Sequence, residues 1–186
     1  MALTKKAMEE FLEELASRKP APGGGSATAL AGSLAAALVE MVSQLTATER
    51  MKEISVEAEK IRRRLTKLID EDCEAFRQFV KAPENEKEEA LKHAALVPLE
   101  TANLSYRIVG LADEIAREGN KNPITDAGVA SLLASAAVQG ACLNVRINLG
   151  SIKDEGFRKV IEEKLEQFAD SSEKSQATMK FIRGKL

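Results

Sequence analysis

The apolar positions of this 186-residue chain recur at helical spacing, and no stretch alternates between apolar and polar residues as a strand would. The segment 49–81 has the clearest pattern. Its apolar residues follow alternating steps of four and three, the heptad spacing of a helix that packs lengthwise on a partner helix. They are Ile54, Ala58, Ile61, Leu65 and Leu68. The next step of four lands on Asp72, so the pattern predicts an acidic side chain on the buried face of this helix.

Five further segments have the same period or carry helix start and stop signals. Pro98 is expected to kink or split the fourth helix. Ser26 suits the N-cap of the second helix, and Thr125 or Asp126 suits that of the fifth. The predicted helices span about residues 4–17, 26–48, 49–81, 85–118, 125–150 and 154–183. Short turns between long helices predict one all-α domain over residues 1–186, an antiparallel bundle of about six mostly long helices.

The second and fifth predicted helices are rich in Ala, Gly and Ser and carry almost no charge. Glu40 is the one charged residue between Pro20 and Thr48, and the 19 residues of 127–145 carry none. Both segments are too weakly apolar for a convincing bilayer span, which favours helices buried inside a protein. A helix that is apolar all round belongs at the centre of an assembly, and a chain of this size needs a second subunit to cover two of them. The pattern therefore predicts a homodimer and no membrane partner.

Polar side chains interrupt these apolar faces. A buried carboxylate needs a hydrogen-bonding partner or has a raised pKa, so Glu40 and Asp72 are candidates for proton transfer or for structural bonds between helices. Asp126 favours a helix start through the helix dipole alone. Asn144 and Asn148 lie one turn apart on one helix face, where their amides suit either a polar heterocycle or hydrogen bonds to a facing helix.

Composition excludes several classes of protein. A net charge of −2 with dispersed basic residues gives no positive field for nucleic acid, so we expect no nucleic-acid partner. Cys73 and Cys142 lie far apart without CxxC spacing, and His93 is the single histidine, so neither a metal site nor a disulfide framework is indicated. The first 19 residues are charged throughout and lack the apolar stretch of a secretory signal, which predicts a cytoplasmic protein.

Three motifs occur in a specific order: PGGGSA at 22–27, DEDCEAF at 70–76, and GNKNPITDAG with NVRINL within 119–149. Together they resemble the cyclodeaminase/cyclohydrolase family of folate enzymes, in particular the single-domain relatives of the C-terminal half of formiminotransferase-cyclodeaminase. The resemblance covers nearly the whole chain. It implies an all-helical dimer that binds a tetrahydrofolate derivative as substrate near the subunit interface and uses no prosthetic group.

The resemblance implies one of two reactions at the same carbon atom. A cyclodeaminase converts 5-formiminotetrahydrofolate to 5,10-methenyltetrahydrofolate and ammonia, and this is the function we expect. A methenyltetrahydrofolate cyclohydrolase, which gives 10-formyltetrahydrofolate, is the alternative. A non-catalytic helical dimerisation module is the further alternative, although it leaves the acids and amides on apolar faces unexplained.

The resemblance also assigns roles to residues of this chain. Glu40, Asp72 and Asp126 become acid–base or pterin-binding candidates, and we expect the chemistry at Asp72 and Asp126 in particular. The substrate-binding candidates are a glycine turn with free backbone amides, three asparagines that orient the folate, and two cations for its glutamate carboxylates. The glycine turn is Gly23, Gly24, Gly25 and Ser26, the asparagines are Asn122, Asn144 and Asn148, and the cations are Lys121 and Arg146.

Overall fold

A computed structural model describes residues 3–5 and 7–186, and this part of the chain contains helices and no strands. A short 3-10 turn, Leu3–Lys5, precedes seven α-helices. They are α1 (Met8–Leu15), α2 (Gly24–Gln44), α3 (Glu49–Lys81), α4 (Lys87–Glu118), α5 (Ile124–Leu149), α6 (Glu155–Glu166) and α7 (Ser171–Arg183). The predicted all-α fold is confirmed. The prediction of one helix over 154–183 is wrong, because the chain turns at 167–170 and buries Phe168 in the core there.

The four long helices α2 to α5 form the centre of the bundle, and α7 packs against α4 and α5. The heptad positions predicted on α3 are all buried, with Ile54, Leu65 and Leu68 fully inaccessible to solvent. Because these side chains meet α2 and α4 along the whole length of α3, the face that carries Asp72 is fixed against α2.

Helices α2 and α5 lie antiparallel and in close contact. A methyl group added at Gly24 would lie 3.4 Å from the amide atoms of Asn144, and one added at Gly140 would overlap the methyl of Thr28. At the other end, the Asn120 amide donates to the Leu45 carbonyl at 3.3 Å. By length and composition alone both helices could cross a membrane, with mean hydropathies of 1.4 and 1.5, but they pack against each other and the other long helices as core helices do.

Two predicted N-caps lie two or three residues too late in the chain. Helix α2 begins at Gly24 with Gly23 as its N-cap, so Ser26 lies inside the first turn instead of capping it. Helix α5 begins at Ile124 after Pro123, so Thr125 and Asp126 also lie inside the first turn. In both cases the helix starts directly after a glycine or a proline, before the first side chain that could cap it.

Helix α4 runs without a break through Pro98, so of the two predicted outcomes, a kink or a split, the split does not occur. Proline has no N–H, and the carbonyl four residues earlier, that of Ala94, therefore lacks its usual helical donor. The side-chain amide of Asn148 on α5 donates to this carbonyl at 2.9 Å. Asn148 thus replaces the hydrogen bond that Pro98 cannot make, and this is the structural role that the sequence left open for it.

Candidate active site

The glycine turn and Asp72 meet where α2 begins. Asp72 projects from α3 against the first turn of α2, where its carboxylate accepts hydrogen bonds from the backbone N–H and the hydroxyl of Ser26, the latter at 2.9 Å. Gly25 has no side chain here because a Cβ would lie 2.5 Å from Cγ and 2.7 Å from Oδ2 of Asp72. Asp72 therefore caps α2 from a neighbouring helix, and the residue that interrupts the heptad pattern of α3 has a definite partner.

Burial raises the pKa of the Asp72 carboxyl, and the two hydrogen bonds from Ser26 oppose that rise without cancelling it. The neighbouring Cys73 thiol is buried, and burial raises its pKa as well. By contrast, hydrogen bonds from Tyr106 and Lys174 lower the pKa of the half-buried Asp170. A partly exposed carboxyl with a raised pKa can hold and release a proton, which is what general acid–base chemistry requires.

Asn144 completes this group of residues. Its amide nitrogen donates to the Gly140 carbonyl at 2.8 Å, and its side chain lies beside Gly24, which is exposed to solvent. We call Gly23–Ser26, Asp72 and Asn144 the Asp72 corner. Only part of the predicted amide cradle faces solvent, because Gly25 and Ser26 are buried.

Three predicted site residues lie at the opposite end of the bundle. Asp126 is 18 residues from Asn144 on the same helix, which at 1.5 Å per residue is about 27 Å. Lys121 and Asn122 lie in the turn that precedes this helix and are exposed. We call Lys121, Asn122 and Asp126 the Asp126 end. Within one chain it cannot share a small ligand with the Asp72 corner.

Glu40 lies about 24 Å along α2 from Gly24, since 16 residues separate them. Its carboxylate accepts two hydrogen bonds from Arg62 on α3, at 2.6 and 3.4 Å, in a half-buried ion pair. A buried carboxylate needs a hydrogen-bonding partner, and Arg62 is that partner. A structural bond between helices was one of the two roles that the sequence allowed for Glu40. Glu40 therefore has a structural role, and its catalytic role stays a prediction.

Arg146 lies on a different face of α5 from Asn144, as their spacing predicts. It lines a cavity of about 380 Å³ between α5 and the connection from α6 to α7, together with Gln139 and Ser172. It does not contribute to the Asp72 corner of its own chain.

Two contacts near the candidate residues are not foreseeable from the sequence. Asn120 links the start of α5 to the end of α2 through its backbone N–H, which donates to the Thr46 hydroxyl at 2.8 Å. Cys73 lies within 3.3 Å of the Ser26 hydroxyl. Neither contact has a sequence signal, because each joins segments that are at least 47 residues apart.

A larger groove of about 630 Å³ lies between α3, α4 and α7, away from the Asp72 corner. Four of its charged groups are paired with one another: Arg107 binds Glu57 through both carboxylate oxygens, and Arg117 binds Asp113 in the same way. Residues 3–5 and 7–186 contain no cluster of three or more His, Cys, Asp or Glu side chains suited to a metal ion. The pKa values of Glu57 and Asp113 in this groove are lowered, whereas burial raises that of Asp72, so the carboxyl suited to holding a proton lies in the Asp72 corner.

Fold and site together describe an all-α helical bundle that holds a partly exposed carboxyl group with a raised pKa at the start of α2. A sequence profile of the formiminotransferase-cyclodeaminase family matches residues 7–167. The methenyltetrahydrofolate cyclohydrolase of Methylorubrum extorquens is 39% identical over 86% of both chains. The formimidoyltransferase-cyclodeaminase of Mus musculus is 30% identical over 96% of this chain, which matches 37% of the mouse protein.

The crystal structure of formiminotetrahydrofolate cyclodeaminase from Thermotoga maritima superposes with a TM-score of 0.91, at 34% identity over 97% of both chains. The chain belongs to the formiminotransferase-cyclodeaminase family, and it is an enzyme of folate one-carbon chemistry.

Proposed function

We propose that the protein is a formiminotetrahydrofolate cyclodeaminase, which converts 5-formiminotetrahydrofolate to 5,10-methenyltetrahydrofolate and ammonia. The observation that carries this proposal is the Asp72 carboxyl, which is partly exposed, has a raised pKa, and is held at the start of α2. The likeness in fold to the Thermotoga maritima cyclodeaminase supports it.

The reaction needs orientation and proton transfer. N10 attacks the formimino carbon, so a bond from carbon to N10 forms, N10 loses a proton and the former imine nitrogen gains one. A second proton, which the net reaction takes up from solvent, protonates that amino group, the carbon–nitrogen bond breaks, and ammonia leaves. Holding the two ends of one molecule together supplies much of the rate. Asp72 takes the proton from N10 as a carboxylate and returns it to the departing nitrogen as an acid.

A methenyltetrahydrofolate cyclohydrolase is the second candidate, and the 39% identity with the Methylorubrum extorquens enzyme favours it. In this reaction water attacks the methenyl carbon, the bond from that carbon to N5 breaks, and 10-formyltetrahydrofolate forms. One proton is released overall. Asp72 suits this reaction as the base that accepts a proton from the attacking water.

The near-ultraviolet absorbance of methenyltetrahydrofolate distinguishes the two reactions. We expect the chromophore to appear from 5-formiminotetrahydrofolate with release of ammonia. Faster loss of preformed methenyltetrahydrofolate than in buffer identifies the cyclohydrolase instead. Asp72→Asn should abolish either activity, whereas Asp113→Asn, which changes a partly buried aspartate at the opposite face, serves as the matched control. Equal rates with and without protein for both substrates contradict the proposal.

We also propose that the enzyme is a homodimer whose interface is the outer face of α2 and α5. Along both helices, large apolar side chains remain exposed in the single chain, and Ile147 has the largest exposed fraction, 74%. The exposed residues are Leu34 and Met41 on α2, Leu45 at its C-cap, and Val129, Leu132, Leu143 and Ile147 on α5. An apolar surface that runs the length of two adjacent helices is typical of a subunit interface.

Two-fold symmetry allows two arrangements of such an interface. If the axis lies in the interface and is perpendicular to α2 and α5, the Asp72 corner of one protomer faces the Asp126 end of its partner. If the axis is parallel to the helices, like ends meet. We favour the first arrangement because it brings the two groups of predicted site residues together, which a single chain cannot do.

Complementation tests this arrangement. Asp72→Asn and Asp126→Asn homodimers should each be inactive, and mixing them under subunit exchange should restore about a quarter of the wild-type rate, because half of the dimers are mixed and each contains one intact site. Ile147→Glu should give monomers in analytical ultracentrifugation. Val56→Glu, an equally apolar exposed position on α3 (52% exposed), should leave the dimer intact. A monomeric wild-type protein contradicts the proposal.

A further inference from the structure

The hydroxyl of Ser26 is completely buried, although its residue belongs to the glycine turn. It lies 2.9 Å from Oδ2 of Asp72, 3.0 Å from the Ile69 carbonyl and 3.3 Å from Sγ of Cys73. A side chain in this position cannot touch a substrate. Any influence that it has on the reaction must act through Asp72.

A hydroxyl has one proton and can donate to one acceptor at a time. When Asp72 is ionised, both the carboxylate and the Ile69 carbonyl are acceptors, and the charged acceptor binds the proton more strongly. When Asp72 is protonated, its own O–H donates to the Ser26 oxygen, and the Ser26 proton turns to the Ile69 carbonyl. That carbonyl has a second lone pair available inside α3. Both protonation states of Asp72 therefore keep a hydrogen bond in a buried corner.

We propose that Ser26 is a positioning residue whose hydroxyl reverses its hydrogen bond as Asp72 gains and loses a proton, with Cys73 as a supporting donor. The thiol can donate to the Ser26 oxygen while the Ser26 proton is directed at the carboxylate. No proton leaves Ser26 in either state. The inference rests on the proposed function only in taking Asp72 as the proton carrier.

Charged groups around this corner do not replace the hydroxyl. Ser26 and Gly25 face Asp72 from α2, and Asn144, which is neutral, lies beside the glycine turn from α5. On α3 itself, Asp70 and Arg77 act on the pKa of the Cys73 thiol in opposite directions. With no cation bound to the carboxylate in the described residues, the Ser26 hydrogen bonds are the main stabilisation of its charged form.

Carbon-13 NMR titration of the Asp72 carboxyl in the intact protein tests the inference without any substrate. Ser26→Ala should raise the pKa of Asp72 by about one pH unit, the size expected when a carboxylate loses a neutral donor. Ser33→Ala is the matched control, because Ser33 lies two turns later on α2 and binds Thr66 of α3 at 2.8 Å. Cys73→Ala should give a smaller rise, and it keeps the test available if Ser26→Ala fails to fold.

Kinetics supply the second readout. In Ser26→Ala, kcat should fall while KM for the folate stays constant, and the acid limb of the pH profile should move to higher pH by the same amount as the pKa. An unchanged Asp72 pKa in Ser26→Ala, or in Cys73→Ala where the first variant does not fold, overturns the inference. A raised KM at constant kcat also overturns it, because that result places Ser26 in the substrate site. A shifted pKa in a protein that turns over neither folate refutes the proposed function but leaves the role of Ser26 standing.

Discussion

Replacing Gly25 by alanine tests whether Asp72 is held against the first turn of α2. None of the described glycines has a positive φ, so the backbone accepts alanine at this position. The new Cβ would nevertheless lie 2.5 Å from Cγ of Asp72 and 2.7 Å from Oδ2, well inside contact distance. The carboxylate must move away, and in moving it leaves the Ser26 hydroxyl and N–H.

The free energy of unfolding should fall by about 3 kcal/mol. Loss of hydrogen bonds to a charged group costs about 1.5–3 kcal/mol, and forced repacking of a filled site adds about 1–3 kcal/mol. The higher helix propensity of alanine returns about 0.5–1 kcal/mol. For a domain of this size, about 3 kcal/mol corresponds to a decrease in Tm of about 6–12 °C.

Gly24→Ala provides the matched control one residue earlier. Its Cβ would lie 3.4 Å from the Asn144 amide atoms, close to ordinary contact, so we expect a free energy of unfolding within about 0.5 kcal/mol of wild type. Urea unfolding at pH 7 measures both variants under identical conditions. Equal stability of Gly25→Ala and Gly24→Ala would refute the close approach of Asp72 to α2, and with it the basis for the pKa and positioning arguments.

Three further predictions concern neighbouring residues. The pKa of Asp72 in the folded protein lies above its unfolded value, so the stability that the neutral carboxyl contributes is lost as pH rises above about 4. The Tm of Asp72→Asn should therefore rise relative to that of the wild type as the pH of thermal unfolding approaches 7. Glu40→Gln should cost about 1 kcal/mol in urea unfolding by weakening the Arg62 ion pair, and no loss would show that the pair is unimportant. Asn148→Ala should lower the free energy of unfolding by about 1 kcal/mol. In the background of Pro98→Ala this loss should disappear, because the backbone N–H restored at position 98 binds the Ala94 carbonyl. Additive effects in the double-mutant cycle contradict this coupling.

Periodic patterns predicted the bundle well because burial along a helix depends on spacing alone. The heptad of α3 identified its buried face, and the break in that pattern identified Asp72 as an acid on this face. Helix boundaries were less predictable. Ser26 has the chemistry of an N-cap, but the helix already begins at Gly24, and the side-chain cap comes from Asp72 on another helix.

Contacts between distant segments lay beyond the sequence for a physical reason. Pro98 and Asn148 each looked unfavourable in its own helix, and each is explained by the other only once α4 and α5 are side by side. In the same way, the sequence showed that Glu40 needs a partner, but not that Arg62 supplies it. A single-sequence pattern identifies polar groups that need partners, whereas the fold decides which groups meet.

The separation along α5 connects oligomeric state to catalysis. Family resemblance selects Asp72 and Asp126 together, yet about 27 Å of helix lies between the Asp72 corner and the Asp126 end of one chain. No side-chain movement closes such a distance in a bundle packed along its whole length. Either one of the two acids has no part in the chemistry, or the partner supplies it. The exposed apolar face of α2 and α5 favours the second alternative, in which the partner subunit supplies the acid. A site shared between subunits requires that the dimer and the activity are lost at the same protein concentration on dilution.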